Sequence, residues 1–197
     1  MTNILTKVYN NERLSKALSI ISHIISAVSV PAFLFTVGYR IYLTEYVTAA
    51  KLFLAAFSGF LLVTIARRLI NAPRPYEIYG FYERKPKNKS GSSFPSRHAY
   101  SAFAIATLSI SVNPILAGAL FFFSVMLSVF RVLLGIHFVR DVLAGALLGT
   151  AALGIDDEDV GLDEVERGDE VDDATALIDV GFLDGLDILY HKQAFLL

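Results

Sequence analysis

The chain has 197 residues, of which 54% are hydrophobic and 18% charged, with a mean hydropathy of +0.54. That apolar share exceeds the roughly 45–50% usual for soluble domains and argues against a water-soluble core. Cysteine is absent, which excludes disulfides, thiolate catalysis and thiolate metal sites. The net charge of −2 conceals a division, with +10 carried through residue 155 and −12 from residue 156 onward.

Five apolar stretches approach the ~20 residues that cross a hydrocarbon core, at about 18–39, 52–70, 95–112, 115–134 and 139–155. The first is longer than a signal-peptide apolar core of about 7–15 residues and no small-residue cleavage site follows it, so it is expected as a retained span. Within it, His23 is expected to hydrogen-bond between helices through neighbouring serines. The segment 71–93 carries Pro73, Pro75, Pro86 and Gly91, which suit a loop. Its basic run Arg84-Lys85-Pro86-Lys87-Asn88-Lys89 suits anionic lipid head groups, and nucleic acid is not expected as a partner of a loop tethered between spans. The aromatics Phe121, Phe122 and Phe123 fall at mid-span, where lipid-facing or packing roles are expected. The last stretch, 17 residues or about 26 Å of helix, is the shortest.

Beyond it, residues 156–197 are dense in carboxylates, with little periodicity, and are expected as a solvated or partly disordered tail. The acidic run lacks the spacing of an EF-hand loop, so no metal is expected there. The expected fold is all-α, a polytopic membrane helical bundle of about five transmembrane helices. It occupies residues 1–155, with its motif-bearing core at 52–155, followed by the acidic C-terminal tail.

Three motifs stand at the ends of these stretches: Arg67 with Arg74-Pro75, then Pro95-Ser96-Arg97-His98, then Arg131 with His137 and Asp141. If the second stretch ends near Ile70, the third starts from that same face, the fourth returns to it and the fifth leaves it again. All the motif residues then converge on one face from four helix ends. Charged groups within spans cost about 2.5–3.5 kcal/mol on insertion scales, so Arg67, Arg68, Arg131 and Asp141 need partners, water or a function. Arg67 and Arg74 stand seven apart, near two helical turns, and their guanidinium forks suit phosphate, whereas Arg68 is out of that phase and is assigned to the membrane interface. Ser96 is expected to cap the third helix, where backbone amides favour an anion, and His98 in its first turn can protonate a leaving oxygen. His137 and Asp141, four apart, share a face on a helical N-terminal turn, which lets the carboxylate fix the imidazole tautomer and frees the other ring nitrogen as a nucleophile. A helix-end ion pair among Arg131, Arg140 and Asp141 is the other reading of that motif.

In order and spacing, the three motifs together resemble the type 2 phosphatidic acid phosphatase superfamily, which includes membrane lipid phosphatases, glucose-6-phosphatases, bacterial acid phosphatases and vanadium haloperoxidases. The resemblance covers roughly residues 52–155. The chain departs from the family pattern at Arg67 in place of Lys, Arg97 in place of Gly and Phe130 in place of Ser. The resemblance implies a metal-independent, cofactor-free, two-step hydrolysis of a lipid phosphate or diphosphate monoester. In it His137 attacks phosphorus and is oriented by Asp141, and His98 protonates the leaving group. Arg67, Arg74, Ser96, Arg97 and Arg131 hold the phosphoryl oxygens.

Two other readings are a haloperoxidase holding vanadate in the same pocket, disfavoured by the membrane spans, and a non-catalytic membrane lipid-phosphate-binding or assembly protein that retains the pocket. Apart from substrate, the expected partners are membrane lipids; nothing in the sequence sets an oligomeric state. The expected location is a multi-pass membrane protein of the cell membrane. Lys7, Arg13, Lys16 and the basic loop favour a cytoplasmic site face by the positive-inside rule, while the resemblance favours an extracytoplasmic one, which is the expected face.

Overall fold

Residues 7–8, 10–79 and 90–151 are described by the computed structural model, and the regular elements among them are all helical. The chain divides into two units, Met1–Ile155 and Asp156–Leu197, and the described residues belong to the first. The acidic segment, the basic run at 84–89, His191 and residues 152–155 of the last expected span lie outside the described residues.

Local chemistry sets where each helix starts and stops. Asn11 opens α1 (Glu12–Tyr42) by accepting a hydrogen bond from the Leu14 amide, with Glu12 in the first turn complementing the helix dipole. A three-residue turn returns the chain as α2 (Tyr46–Ile70), which Asn71 ends in the left-handed region at φ 43°. The single turn α3 (Pro75–Ile78) precedes α4 (Arg97–Leu108), whose N-cap is Ser96. α4 gives way to a 3₁₀ turn at Ser109–Ser111, where the Ser109 and Ser111 hydroxyls donate back to the Ile105 and Leu108 carbonyls. Asn113 then caps α5 (Pro114–Leu133), with proline at its first position, and α6 (Val139–Thr150) follows.

The five longer helices overlap the five expected apolar stretches, with α1 running past both ends of its stretch and α2 starting six residues earlier, and the architecture is a polytopic membrane helical bundle. Among the described residues, three segments are long and apolar enough to cross a membrane: Glu12–Tyr42, Tyr46–Ile78 and Pro114–Leu133. α4 and α6 are shorter than expected, at 12 residues each or about 18 Å, against a hydrocarbon thickness of about 30 Å. The long helices turn large apolar side chains outward, among them Leu34, Phe57, Leu62, Ile115 and Phe122, as a lipid-facing surface requires. Phe121 packs edge-on against Phe103, and Phe122 and Phe123 are exposed, in keeping with lipid-facing and packing roles.

α4 is the axis of the bundle and meets α1, α2, α5 and α6. Its inner positions are small: Ala99, Ala102, Ala104 and Ala106 are each 5% exposed or less. Opposite them stand Gly145 and Gly149 of α6, so the two backbones meet with no side chain between them, the small-xxx-small device of membrane helices. A Cβ at Gly145 would sit 2.5 Å from the Ser96 carbonyl oxygen, and one at Gly149 would sit 2.6 Å from that of Tyr100. Both obstructions are backbone and cannot swing aside. Gly145→Val is therefore expected to destabilise the protein by about 1–3 kcal/mol, seen as a lower unfolding midpoint in detergent. Gly118→Ala, which meets open space, serves as the silent control.

At the end away from the motifs, polar contacts cross between elements. Thr36 of α1 and Ser109 share a buried hydrogen bond of 3.0 Å, and the Arg40 guanidinium donates both to Glu45 and to the Ser111 carbonyl. This clamp joins the α1–α2 turn to the end of α4.

Candidate active site

The opposite end of the bundle holds the motifs. Helix α5 stops because Gly135 takes φ +65°, a conformation that costs glycine no steric strain, and the chain folds back so that the amides of Ile136 and His137 both donate to the Arg131 carbonyl. That turn places His137 beside Arg131 and directly ahead of α6. The segment 90–96 is stitched to three elements. The Gly91 amide donates to Glu77, that of Ser92 to the Asn71 side chain, that of Ser93 to the Ala72 carbonyl and that of Ser96 to the Asp141 carbonyl. Ser96 and Asp141 are thus fixed relative to each other by backbone.

Arg67, Arg74, Arg97, His98, Arg131 and His137 all line one cavity of about 790 Å³. Arg67, Arg74 and Arg131 are buried, and the first two are held by partial pairing. Arg67 donates to the Pro95 carbonyl at 3.0 Å and Arg74 donates through Nε to the Gly91 carbonyl at 3.0 Å, while Arg131 Nε has no hydrogen-bond partner among the described residues. Among the described residues no partner takes their remaining N–H groups, which suit an anion. Arg97 lies at the wall with its guanidinium over the Phe60 ring, 5.9 Å from the centroid. Two of the expected residues do not line the cavity. Ser96 is fully buried, its oxygen accepting from the Ala99 amide at 3.4 Å, and Asp141 is fully buried behind His137.

The His137–Asp141 pair is built differently from the expected two residues on one helical turn. His137 precedes α6, and its Nδ1 lies 3.6 Å from Asp141 Oδ2, too long for a direct hydrogen bond. Ser93, absent from the sequence reading, fills the gap. Its hydroxyl donates to Asp141 Oδ2 and lies 3.4 Å from His137 Nδ1, while the Phe138 amide donates to the same carboxylate oxygen at 3.0 Å. The serine's one proton is committed to the carboxylate, so Nδ1 must supply the proton in the serine–imidazole contact. The relay runs His137 Nδ1–H to Ser93 Oγ–H to Asp141, leaving Nε2 of His137 with its lone pair. Burial holds the His137 imidazole below its ordinary pKa, with Arg74 adding to the depression and the Asp141 carboxylate opposing it, so the ring stays neutral and nucleophilic through neutral pH.

Ser93→Ala is expected to lower kcat about 10–100-fold with KM within a few-fold of the parent, read from steady-state phosphate release. It removes the positioning hydroxyl and leaves the three cavity arginines untouched.

Two residues assigned elsewhere from sequence also reach the cavity. Arg68 lines it rather than serving only the membrane interface. His23 lines it too, and among the described residues its hydrogen bond is within its own helix, Nδ1 lying 2.7 Å from the Ser19 carbonyl.

Residues 48–155 match the family model described as PAP2 superfamily. Two solved structures share the fold. LpxE from Aquifex aeolicus is 23% identical, with a TM-score of 0.55 over 77% of this chain and 90% of that one. The transmembrane PAP2 type phosphatidylglycerolphosphate phosphatase from Bacillus subtilis is 22% identical, with a TM-score of 0.59 over 83% of this chain and 84% of that one. No curated protein matches the chain in sequence.

Proposed function

The chain belongs to the PAP2 superfamily, and we propose that it works as an integral-membrane phosphatase that hydrolyses a lipid phosphate or diphosphate monoester through a phosphohistidine intermediate. The observation that carries this reading is the buried His137–Ser93–Asp141 relay, whose free imidazole nitrogen opens into a cavity lined by three buried guanidiniums inside a membrane bundle.

The chemistry follows from those placements. Arg67, Arg74 and Arg131 bind the phosphoryl oxygens and offset the charge that grows on them in the transition state, with Arg97 adding a cation at the wall. His137 Nε2 attacks phosphorus in line with the ester oxygen. As the P–N bond forms, the P–O bond to the leaving group breaks, and His98 gives its proton to that oxygen. The proton on Nδ1 stays in the relay, where the Asp141 carboxylate balances the positive charge left on the ring. Water then attacks the phosphohistidine, His98 takes the water's proton, the P–N bond breaks and inorganic phosphate leaves. Ser96 acts by capping α4 and fixing His98. No step calls for a metal or cofactor. The proposed catalytic unit runs through residue 155 with its motifs in 52–155, and its site face is extracytoplasmic.

Phosphate release in detergent with EDTA present, from a phosphatidate and a prenyl diphosphate, tests this reading. Release that is unaffected by the chelator and lost in His137→Ala is expected; no release from the intact protein on any lipid phosphate would overturn it.

A further inference from the structure

The first half of α1 is unusual for a membrane-crossing helix. Glu12, Ser15, Lys16, Ser19 and His23 recur every three or four residues, which places them on one helical face, and all five line the cavity that holds the motif residues. Polar groups at membrane depth are costly unless they meet water, protein or ligand. Glu12 and Lys16 pair with each other at 2.7 Å near the mouth. Deeper in, His23 has a fixed polarity. A carbonyl oxygen can only accept, so the 2.7 Å contact with Ser19 requires the proton on Nδ1, and Nε2 is left as an acceptor.

The depth of that acceptor follows from the hairpin. α1 and α2 are antiparallel and joined by three residues, so equal residue counts from the turn place His23 about level with Ile65, next to Thr64, which also lines the cavity. Arg67 lies two to three residues further along α2, about 3–5 Å nearer the membrane face. His23 therefore stands just to the membrane side of the guanidinium layer, where a lipid held by its phosphate at those arginines presents the atoms next to the scissile ester oxygen.

We infer that His23 is a specificity-determining residue. Its Nε2 accepts a hydrogen bond from a hydroxyl on the leaving group, within about two carbons of the ester oxygen, and so selects lipid phosphates that carry such a hydroxyl over those that carry only esters or hydrocarbon there. This rests on the phosphatase reading for the identity of the ligand. The discrimination can be measured without turnover.

The test uses one matched pair of ligands, 1-oleoyl lysophosphatidate with its free sn-2 hydroxyl and the 2-deoxy analogue that lacks it. Both are titrated in detergent into the full-length His137→Ala protein, alone and combined with His23→Leu or His23→Gln. The hydroxylated lipid is expected to bind about tenfold more tightly to the parent, as one hydrogen bond supplies. The ratio is expected to fall to about one in His23→Leu and to persist in His23→Gln, whose side-chain amide reaches a similar position with an acceptor. A ratio near one in the parent, a ratio unchanged by His23→Leu, or no binding of either lipid overturns the assignment. Phosphate release by the unmodified protein, measured alongside, reports separately on the phosphatase reading.

Discussion

Replacing His137 with alanine is expected to lower phosphate release by about 10⁵–10⁶-fold while leaving the protein folded, because removal of a covalent nucleophile takes the whole first step with it. Its side chain is 2% exposed and lines the cavity, with Nδ1 held in the relay. In the proposed mechanism the arginines there bind phosphate and His98 serves the leaving oxygen, while His23 is held on α1 through Nδ1 by the Ser19 carbonyl, so none of them takes its place. The fold survives because the imidazole gives up only the 3.4 Å contact with Ser93, while the Ser93–Asp141 bond and the backbone turn onto Arg131 remain. The measurement is phosphate release paired with the unfolding midpoint. A second readout is chemical: brief incubation with a ³²P-labelled lipid phosphate should label the intact protein with phosphate that is lost in acid and kept in alkali, as a phosphoramidate behaves. A variant that keeps a tenth of the activity sinks the nucleophile assignment.

Asp141→Asn is the second large effect, with kcat expected to fall about 10³–10⁴-fold and KM to move only a few-fold. The asparagine fits the same fully buried space, so little is lost from packing. What changes is the direction of the relay. The carboxylate accepts from both Ser93 and the Phe138 amide. If the amide NH₂ faces Ser93, the serine must accept from it and turn its own proton toward His137 Nδ1. The imidazole proton then moves to Nε2, which blocks the attacking lone pair. With the amide oxygen facing Ser93 instead, the tautomer is preserved, but no negative charge balances the phosphorylated ring. A loss smaller than tenfold would mean that Asp141 serves only as an N-terminal cap of α6.

The helices were legible in the sequence because their apolar stretches are long and their ends carry Asn, Ser and Pro at positions where orphan backbone groups need partners. The convergence of Arg67, Arg74, His98, Arg131 and His137 on one cavity was legible for a related reason: alternate membrane crossings return every second helix end to the same face. The lengths of α4 and α6 were harder to read. Serine hydroxyls that turn back onto the preceding carbonyls end α4 early, and hydropathy counts Ser109–Ser111 as part of the apolar run. Ser93 escaped because it lies in a loop of serines and glycine where no period singles out one residue, and only the folded chain shows that it fills the gap between His137 and Asp141. Arg68 was assigned by helical phase, but a cavity of about 790 Å³ is wide enough to take in adjacent positions of one helix. His23 was read against its sequence neighbours; the signal it offered was the three-to-four-residue recurrence from Glu12, a polar face on a membrane helix.

The shortness of α4 bears on how substrate is met. α4 with its 3₁₀ turn rises about 24 Å and α5 about 30 Å from the same Asn113–Pro114 corner, so the His98 end of α4 stops roughly one turn below the end of α5. For the lipid phosphatase proposed here, phosphorus is reached beneath the head-group plane, and the acyl chains need not leave their leaflet. Encounter is then a two-dimensional search, and the quantity that governs the rate is the substrate's surface density, its mole fraction among neighbouring lipids, rather than its amount per volume of solution.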